Sequence, residues 1–147
     1  MNVSFNLLLA DDDADDCIFF KEALEELPVS SSLKTVNDGE QLMQLLSTKP
    51  VPLPDILFLD LNMPRKNGFE CLTEIKLNEN LKSLRIIIYS TSLDREIMNS
   101  LYEKGANHYI RKPGEFSKLK KIILEALMLS AETGDEKISK ENFIIQV

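Results

Sequence analysis

Short apolar runs alternate along the chain with longer stretches of helical period. Residues 4–10, SFNLLLA, are short, apolar and flanked by polar positions, which predicts a buried strand. Residues 15–27 place Ile18, Phe19, Ala23 and Leu27 on one helical face, and Pro28 stops them. Residues 32–36 predict a short strand, and Asn37, Asp38 and Gly39 supply turn chemistry. Residues 40–48 put Leu42, Leu45 and Leu46 on one side of a helix. The proline-studded KPVPLP, residues 49–54, reads as a connector to a very apolar strand over 55–59, which ends at Asp60 and the turn LNMPRKNG. A helix over 69–77, a polar loop over 78–83 and a β-branched strand over 84–89 follow. The helix predicted over 94–104 closes at Gly105, a C′ glycine. A strand over 107–111 is broken by Lys112, Pro113 and Gly114. The last helix, 116–129, spaces Leu119, Ile122, Ile123, Ala126 and Leu127 to face a core.

Strand and helix thus alternate through five repeats, (βα)5. Continuously apolar strands joined by crossover helices imply an α/β fold, a doubly wound parallel sheet covered on both faces. Such sheets bind ligands in the crevice at the carboxyl ends of their strands, at a topological switch point. The polar residues of interest sit at those ends. Asp11, Asp12 and Asp13 end the first strand, Asp60 the third, Ser90 and Thr91 the fourth, and Lys112 the fifth.

Crowding carboxylates is costly. Two like charges at about 4 Å repel by roughly 1 kcal/mol in water and about 4 kcal/mol near a protein surface. A cation between them removes that cost. Acidic oxygens without a neighbouring histidine or thiolate suit a hard cation, Mg2+ above all. Lys112 adds a mobile positive charge suited to a phosphoryl group, Ser90 adds a hydroxyl donor, and a carboxylate in such a site can act as an in-line nucleophile. Taken singly, each residue has a plainer reading. Asp13, Asp15 and Asp16 are helix N-terminal acids favoured by the macrodipole. Asp11 and Asp12 alone divide evenly between ligand and surface acid. Asp60 fits an Asx turn, and Ser90 and Thr91 fit loop hydroxyls. Tyr109 fits a half-buried aromatic and His108 a surface residue. Only their convergence on one edge favours the site.

Composition narrows the field. The chain has 147 residues, enough for one domain with a sizeable core. Its net charge of −7 opposes nucleic-acid binding, which needs cations to replace phosphate counterions. Cys17 and Cys71 stand in no metal-type spacing and read as reduced thiols of a cytoplasmic protein. No secretory leader and no membrane-length apolar run are present in the sequence. After residue 129 comes SAETGDEKISKENFIIQV, first polar and linker-like, then apolar. The expected organisation is a domain over 1–130 and a tail over 131–147. That tail is expected either to dock, on its own domain or across a homodimer, or to be a disordered end.

The segments LLLADDD, ILFLDLNMPRKNG, IIIYSTS and GANHYIRKP, in this order and spacing, resemble the receiver domain of two-component response regulators. The resemblance spans about residues 5–130, and the YSTS and ADDDADD forms are most similar to small stand-alone receivers, including those paired with bacterial phytochromes. It implies a flavodoxin-like strand order 2-1-3-4-5. It also implies a signalling switch that takes a phosphoryl group from a sensor histidine kinase or phosphotransfer protein. Asp60 matches the phosphorylated aspartate. Asp11 and Asp12 match the acidic pair that holds Mg2+, and Asn62 matches the position whose backbone carbonyl completes the metal shell. Lys112 matches the phosphate-contacting lysine, Ser90 the switch hydroxyl and Tyr109 the aromatic switch. Tyr109 would rotate into space vacated when Ser90 moves inward, changing the face of the fourth helix, fifth strand and fifth helix. Serine stands where threonine is commoner, which leaves the chemistry intact. Gly114–Glu115–Phe116 departs from the family pattern locally.

Other readings fare worse. A phosphatase of the haloacid dehalogenase type needs a second aspartate two residues beyond the nucleophile, and here Asp60–Leu61–Asn62 lacks it. A flavin-binding module needs a glycine- or serine-rich phosphate loop where ADDDADD stands. A degenerate receiver that only docks would not keep the acids, the hydroxyl and the lysine together. The expectation is therefore a phospho-acceptor and not an enzyme, with no DNA or membrane partner and with a second copy of the chain as a candidate partner.

Overall fold

The computed structural model describes residues 4–48, 52–132 and 138–146. Parts of the expected connector (49–51) and linker (133–137), the first three residues and Val147 lie outside them. Five strands form one sheet: β1 (Ser4–Ala10), β2 (Ser30–Val36), β3 (Ile56–Leu59), β4 (Ile86–Ser90) and β5 (His108–Arg111). Five helices follow them in turn: α1 (Ala14–Glu25), α2 (Gly39–Ser47), α3 (Gly68–Leu77), α4 (Arg95–Glu103) and α5 (Phe116–Glu132). The order is β2-β1-β3-β4-β5 with every pairing parallel, as expected. The chain reverses its direction of travel across the sheet between β1 and β3, so the carboxyl ends of those two strands open the crevice.

Alternation along each strand divides the core into two layers. Leu7, Leu9, Ile56, Phe58, Ile87 and Tyr89 face α1 and α5, and the ring of Phe20 meets Phe58 at 4.9 Å and Tyr89 at 5.4 Å. Leu8, Ala10, Leu57, Leu59, Ile86 and Ile88 face the other way, among the apolar side chains of α2, α3 and α4. Both layers are buried and closely packed, so the sheet is a rigid platform for whatever its carboxyl edge carries.

Local chemistry sets the helix starts. Asp13 caps α1 by accepting from the amides of Asp15 and Asp16, Asp38 caps α2, Asp94 caps α4, and Asn67 with Glu70 forms a capping box on α3. Gly105, with φ of 100°, ends α4 in the left-handed region as its sequence position suggested. Most element ends shift by one or two residues from the sequence reading, β4 for example running over Ile86–Ser90 and α1 ending at Glu25, and two of the differences have a direct physical reason. β2 begins at Ser30, because the polar Ser30–Ser32 pair through their main chain with Ser4–Asn6 of β1, whatever their side chains. α5 continues to Glu132, two residues past the expected end of the domain, since nothing between Ser130 and Glu132 breaks a helix.

The C-terminal segment is packed on the domain. Past a short 3-10 turn (Lys140–Asn142), Ile144 lies parallel to β5 opposite Tyr109. The Tyr109 amide donates to the Phe143 carbonyl at 3.0 Å, and the Ile145 amide donates to the Tyr109 carbonyl at 2.9 Å. Phe143 enters the α4-side layer and Ile145 the α5-side layer, 2% and 4% exposed. The tail thus closes the outer edge of β5 from both faces. Among the described residues, no helix is long and apolar enough to cross a membrane.

Candidate functional site

The carboxyl edge of the sheet gathers the expected residues from four strands. Asp60 follows β3, and its amide donates to the Ala10 carbonyl of β1 at 2.9 Å, which sets it beside Asp11. Gly68 makes room for it, since a Cβ there would stand 2.4 Å from the Asp60 carbonyl oxygen. Asp11 is fully buried, Asp60 is 5% exposed and Asp12 faces solvent. One carboxylate oxygen from each of these three lies within 4.8 Å of the others.

Lys112 enters from the end of β5, where its amide donates to the Ser90 carbonyl at 2.8 Å. Its ammonium stands 2.8 Å from Asp11 Oδ2, 2.8 Å from Asp16 Oδ2 and 3.3 Å from Asp60 Oδ2, and 5.3 Å from the centre of the Tyr89 ring. The contacts with Asp16 and Asp60 are hydrogen bonds, whereas Asp11 Oδ2 meets the ammonium as an ion pair without hydrogen-bond geometry. Burial opposes the lysine charge, but the adjacent Asp11 and Asp16 carboxylates, with Asp60 nearby, outweigh it and hold the pKa above that of an ordinary lysine. Asp11 moves the other way. Burial pushes its carboxyl up to about 6, against the pull of Lys112 and the Asp13 amide. A buried acid so poorly solvated is stabilised by a second cation.

The donor set fits such a cation. It is all oxygen, and one buried atom, Asp11 Oδ2, accepts no hydrogen bond. Octahedral bonds of about 2.0–2.1 Å bring ligand oxygens to roughly 3–4 Å of one another, within small side-chain adjustments of the observed spacing. Asn62 lies two residues beyond Asp60, and its amide points at Asp60 Oδ1 at 3.4 Å.

Ser90 is fully buried, and its Oγ accepts from the Ser92 amide at 3.2 Å. Thr91 is exposed. Tyr109 was expected to be half-buried and to rotate inward. Its ring is already inside, fully buried, with the hydroxyl donating to the Ser92 carbonyl at 2.6 Å. The tail explains the difference, because Phe143 covers the ring at 6.3 Å. The same tail overturns the surface assignment of His108, which is 1% exposed with Nδ1 at 3.1 Å from the Phe143 carbonyl. Asp16 is the residue that sequence reasoning missed. Its first-turn position explained it fully, and nothing local pointed to a lysine 96 residues away. Both cysteines are free, and burial raises their thiols to about 11 for Cys17 and about 12 for Cys71, so they stay protonated and take no part in the site.

Comparison with known proteins agrees with the fold. Residues 7–124 match the family model described as the response regulator receiver domain. The chain is 30% identical over 133 residues to the response regulator Rcp1 of Synechocystis sp., an alignment that covers 86% of this chain and 90% of that protein. Among solved structures, the phosphorylated cyanobacterial phytochrome response regulator RcpA superposes with a TM-score of 0.79 at 32% identity, covering 89% of this chain and 98% of that one. The Mn2+-bound form of Rcp1 gives 0.78 at 28% identity, with 92% and 99% covered.

Proposed function

Because the chain belongs to the response regulator receiver family, we propose that it accepts a phosphoryl group on Asp60 and signals through the surface change that follows. One observation carries the reading: at the switch point of the sheet the Lys112 ammonium contacts both the buried Asp60 carboxylate and the buried Asp11 carboxylate. In the transfer, an Asp60 oxygen attacks phosphorus in line, the bond from phosphorus to the donor breaks, and its electron pair leaves with the donor. The donor is the phosphoimidazole of a sensor histidine kinase or a phosphotransfer protein, and the likeness to RcpA favours a phytochrome-type sensor. Asp11, Asp12, Asp60 and the Asn62 backbone carbonyl would hold Mg2+, which when bound neutralises the acids and shields the charge of the phosphoryl oxygens.

The protein's own groups complete the switch. Lys112 offers its ammonium to the transferred group. Ser90 gives up the Ser92 amide to donate its hydroxyl to a phosphoryl oxygen. Ser92 carries the displacement on, because its carbonyl holds the Tyr109 hydroxyl and the Tyr109 backbone holds the tail. Phosphorylation adds roughly −1.5 to −2 charges at neutral pH, and these contacts give the differential interaction a population shift requires. The face of α4, β5, α5 and the tail is therefore the output, read by a protein partner in the cytoplasm or by a second copy of the chain. The net charge of −7 opposes DNA as that partner. In this role the chain is a stoichiometric acceptor and not a turnover enzyme. Incubation with acetyl phosphate and Mg2+ should add one phosphoryl group per chain, lost slowly, and a chelator should prevent its addition. Continuous hydrolysis of a phosphomonoester without accumulation of a phosphorylated chain would replace the switch with a phosphatase.

A further inference from the structure

Lys112 is held by a carboxylate for which phosphoryl transfer has no use. Its ammonium donates to Asp16 Oδ2 at 2.8 Å, closer than the 3.3 Å to Asp60 Oδ2. Asp16 sits in the first turn of α1, where an acid needs no partner because the helix dipole favours it. Asp15, its neighbour in that turn, is exposed and makes no such contact with Lys112. The reach of Asp16 across to β5 is thus an interaction that its helix position does not require.

Three acids surround the ammonium, and they differ in what else they face. Asp11 and Asp60 belong with Asp12 to the oxygen cluster suited to a divalent cation. Asp16 lies outside that cluster, with a side chain 35% exposed at the mouth of the crevice. Lysine carries three donors on a flexible stem and can swing among these partners. With Asp16 present, the ammonium keeps a partner at the mouth when Asp11 and Asp60 turn to a metal. With Asp16 neutralised, its remaining carboxylates are the oxygens the metal needs.

Resting on the switch reading above, we propose that Asp16 is a positioning residue. It tethers the Lys112 ammonium on the α1 side of the crevice, which stops the lysine competing with the divalent cation for Asp11 and Asp60 and keeps it within reach of a phosphoryl group. The tether acts through Lys112 and touches neither metal nor phosphoryl group.

Calorimetric titration of the unphosphorylated full chain with Mg2+ tests this directly. Asp16→Asn should weaken Mg2+ binding about tenfold, the lower end of what loss of a residue supporting metal ligands costs. Asp15→Asn removes the same charge from the same turn and should bind Mg2+ nearly as the parent does. Asp16→Glu, which restores the charge, should recover much of the loss. In a Lys112→Gln background, Asp16→Asn should have no further effect. Equal weakening by Asp15→Asn and Asp16→Asn would overturn the proposal in favour of bulk charge. An Asp16→Asn effect that survives in the Lys112→Gln background would overturn it too, since the residue would then not act through the lysine. Parent chain that binds Mg2+ but accepts no phosphoryl group from acetyl phosphate refutes the switch and leaves the tether standing. Parent chain that binds no Mg2+ refutes both.

Discussion

Replacing Phe143 with alanine asks whether the C-terminal segment is part of the folded domain. The ring is 2% exposed and lies 5.3 Å from Tyr102 and 6.3 Å from Tyr109. A buried Phe→Ala change costs about 3–5 kcal/mol when the site cannot collapse. Here the tail can peel away instead, which caps the loss at its own docking free energy. Peeling forfeits the two backbone bonds to Tyr109, the Tyr102 hydroxyl bond to the Ile138 carbonyl at 2.7 Å, and the burial of Ile145. A net of about 0.5–1.5 kcal/mol per hydrogen bond makes that cap comparable to the cavity cost once the ordering of the chain is set against it. The expected loss is therefore about 3 kcal/mol, near the bottom of the cavity range. For a domain of this size it lowers Tm by about 6–12 °C, at about 2–4 °C per kcal/mol. Denaturant and thermal melts measure the loss, and hydrogen exchange locates it, because the Tyr109 and Ile145 amides should exchange faster while β1 and β3 stay protected. A change below about 0.5 kcal/mol, the range of ordinary surface substitutions, with unchanged exchange at Tyr109, would refute the docked tail.

Three further outcomes follow from the site and its surroundings. Mg2+ at about a hundred times its dissociation constant should stabilise the fold by about 2.7 kcal/mol, and Asp12→Asn should abolish most of that gain; a melt indifferent to Mg2+ would mean that no metal site forms. His108 is held neutral, chiefly by burial and further by the charge of Arg85, against the opposing pull of the Phe143 carbonyl, so its folded pKa lies below 6.5. The unfolded chain then binds the proton first, so this stability is complete above about pH 6.5 and is lost as pH falls through and below that value. His108→Gln should flatten that limb of the stability curve, and a slope unchanged by the substitution would contradict the assignment. Ser90→Ala should still accept a phosphoryl group but fail to alter partner binding or dimerisation through the α4–β5–α5 face; a full response would show that the signal leaves by another route.

How far the sequence was readable depends on how far each residue's partners lie along the chain. The strands were legible because residues such as Leu7–Ala10 and Ile86–Ile88 are buried on both faces and so are continuously apolar. Asp60, Ser90 and Lys112 were legible because each directly ends or follows a strand. Their roles came from a resemblance carried by four spaced segments, not from periodicity. Asp16 was hidden, since a first-turn acid looks the same whether or not it reaches a lysine 96 residues away. His108 and Tyr109 were misjudged for one reason: a tail of three apolar residues after a polar linker covers them, and local pattern does not say where a tail lands. The start of β2 escaped because main-chain pairing with β1, not side-chain pattern, makes it a strand.

The central claim is that Asp60 is the phosphoryl acceptor, and mapping the modified carboxylate tests it most directly. Chain treated with acetyl phosphate and Mg2+ would be trapped by borohydride reduction of the acyl phosphate, digested, and its peptides sequenced by mass spectrometry. Reduction confined to Asp60, and absent from both Asp60→Asn and the chelated parent, is the predicted result. Reduction at Asp11 or Asp12 in the parent, or undiminished labelling of Asp60→Asn, would contradict it.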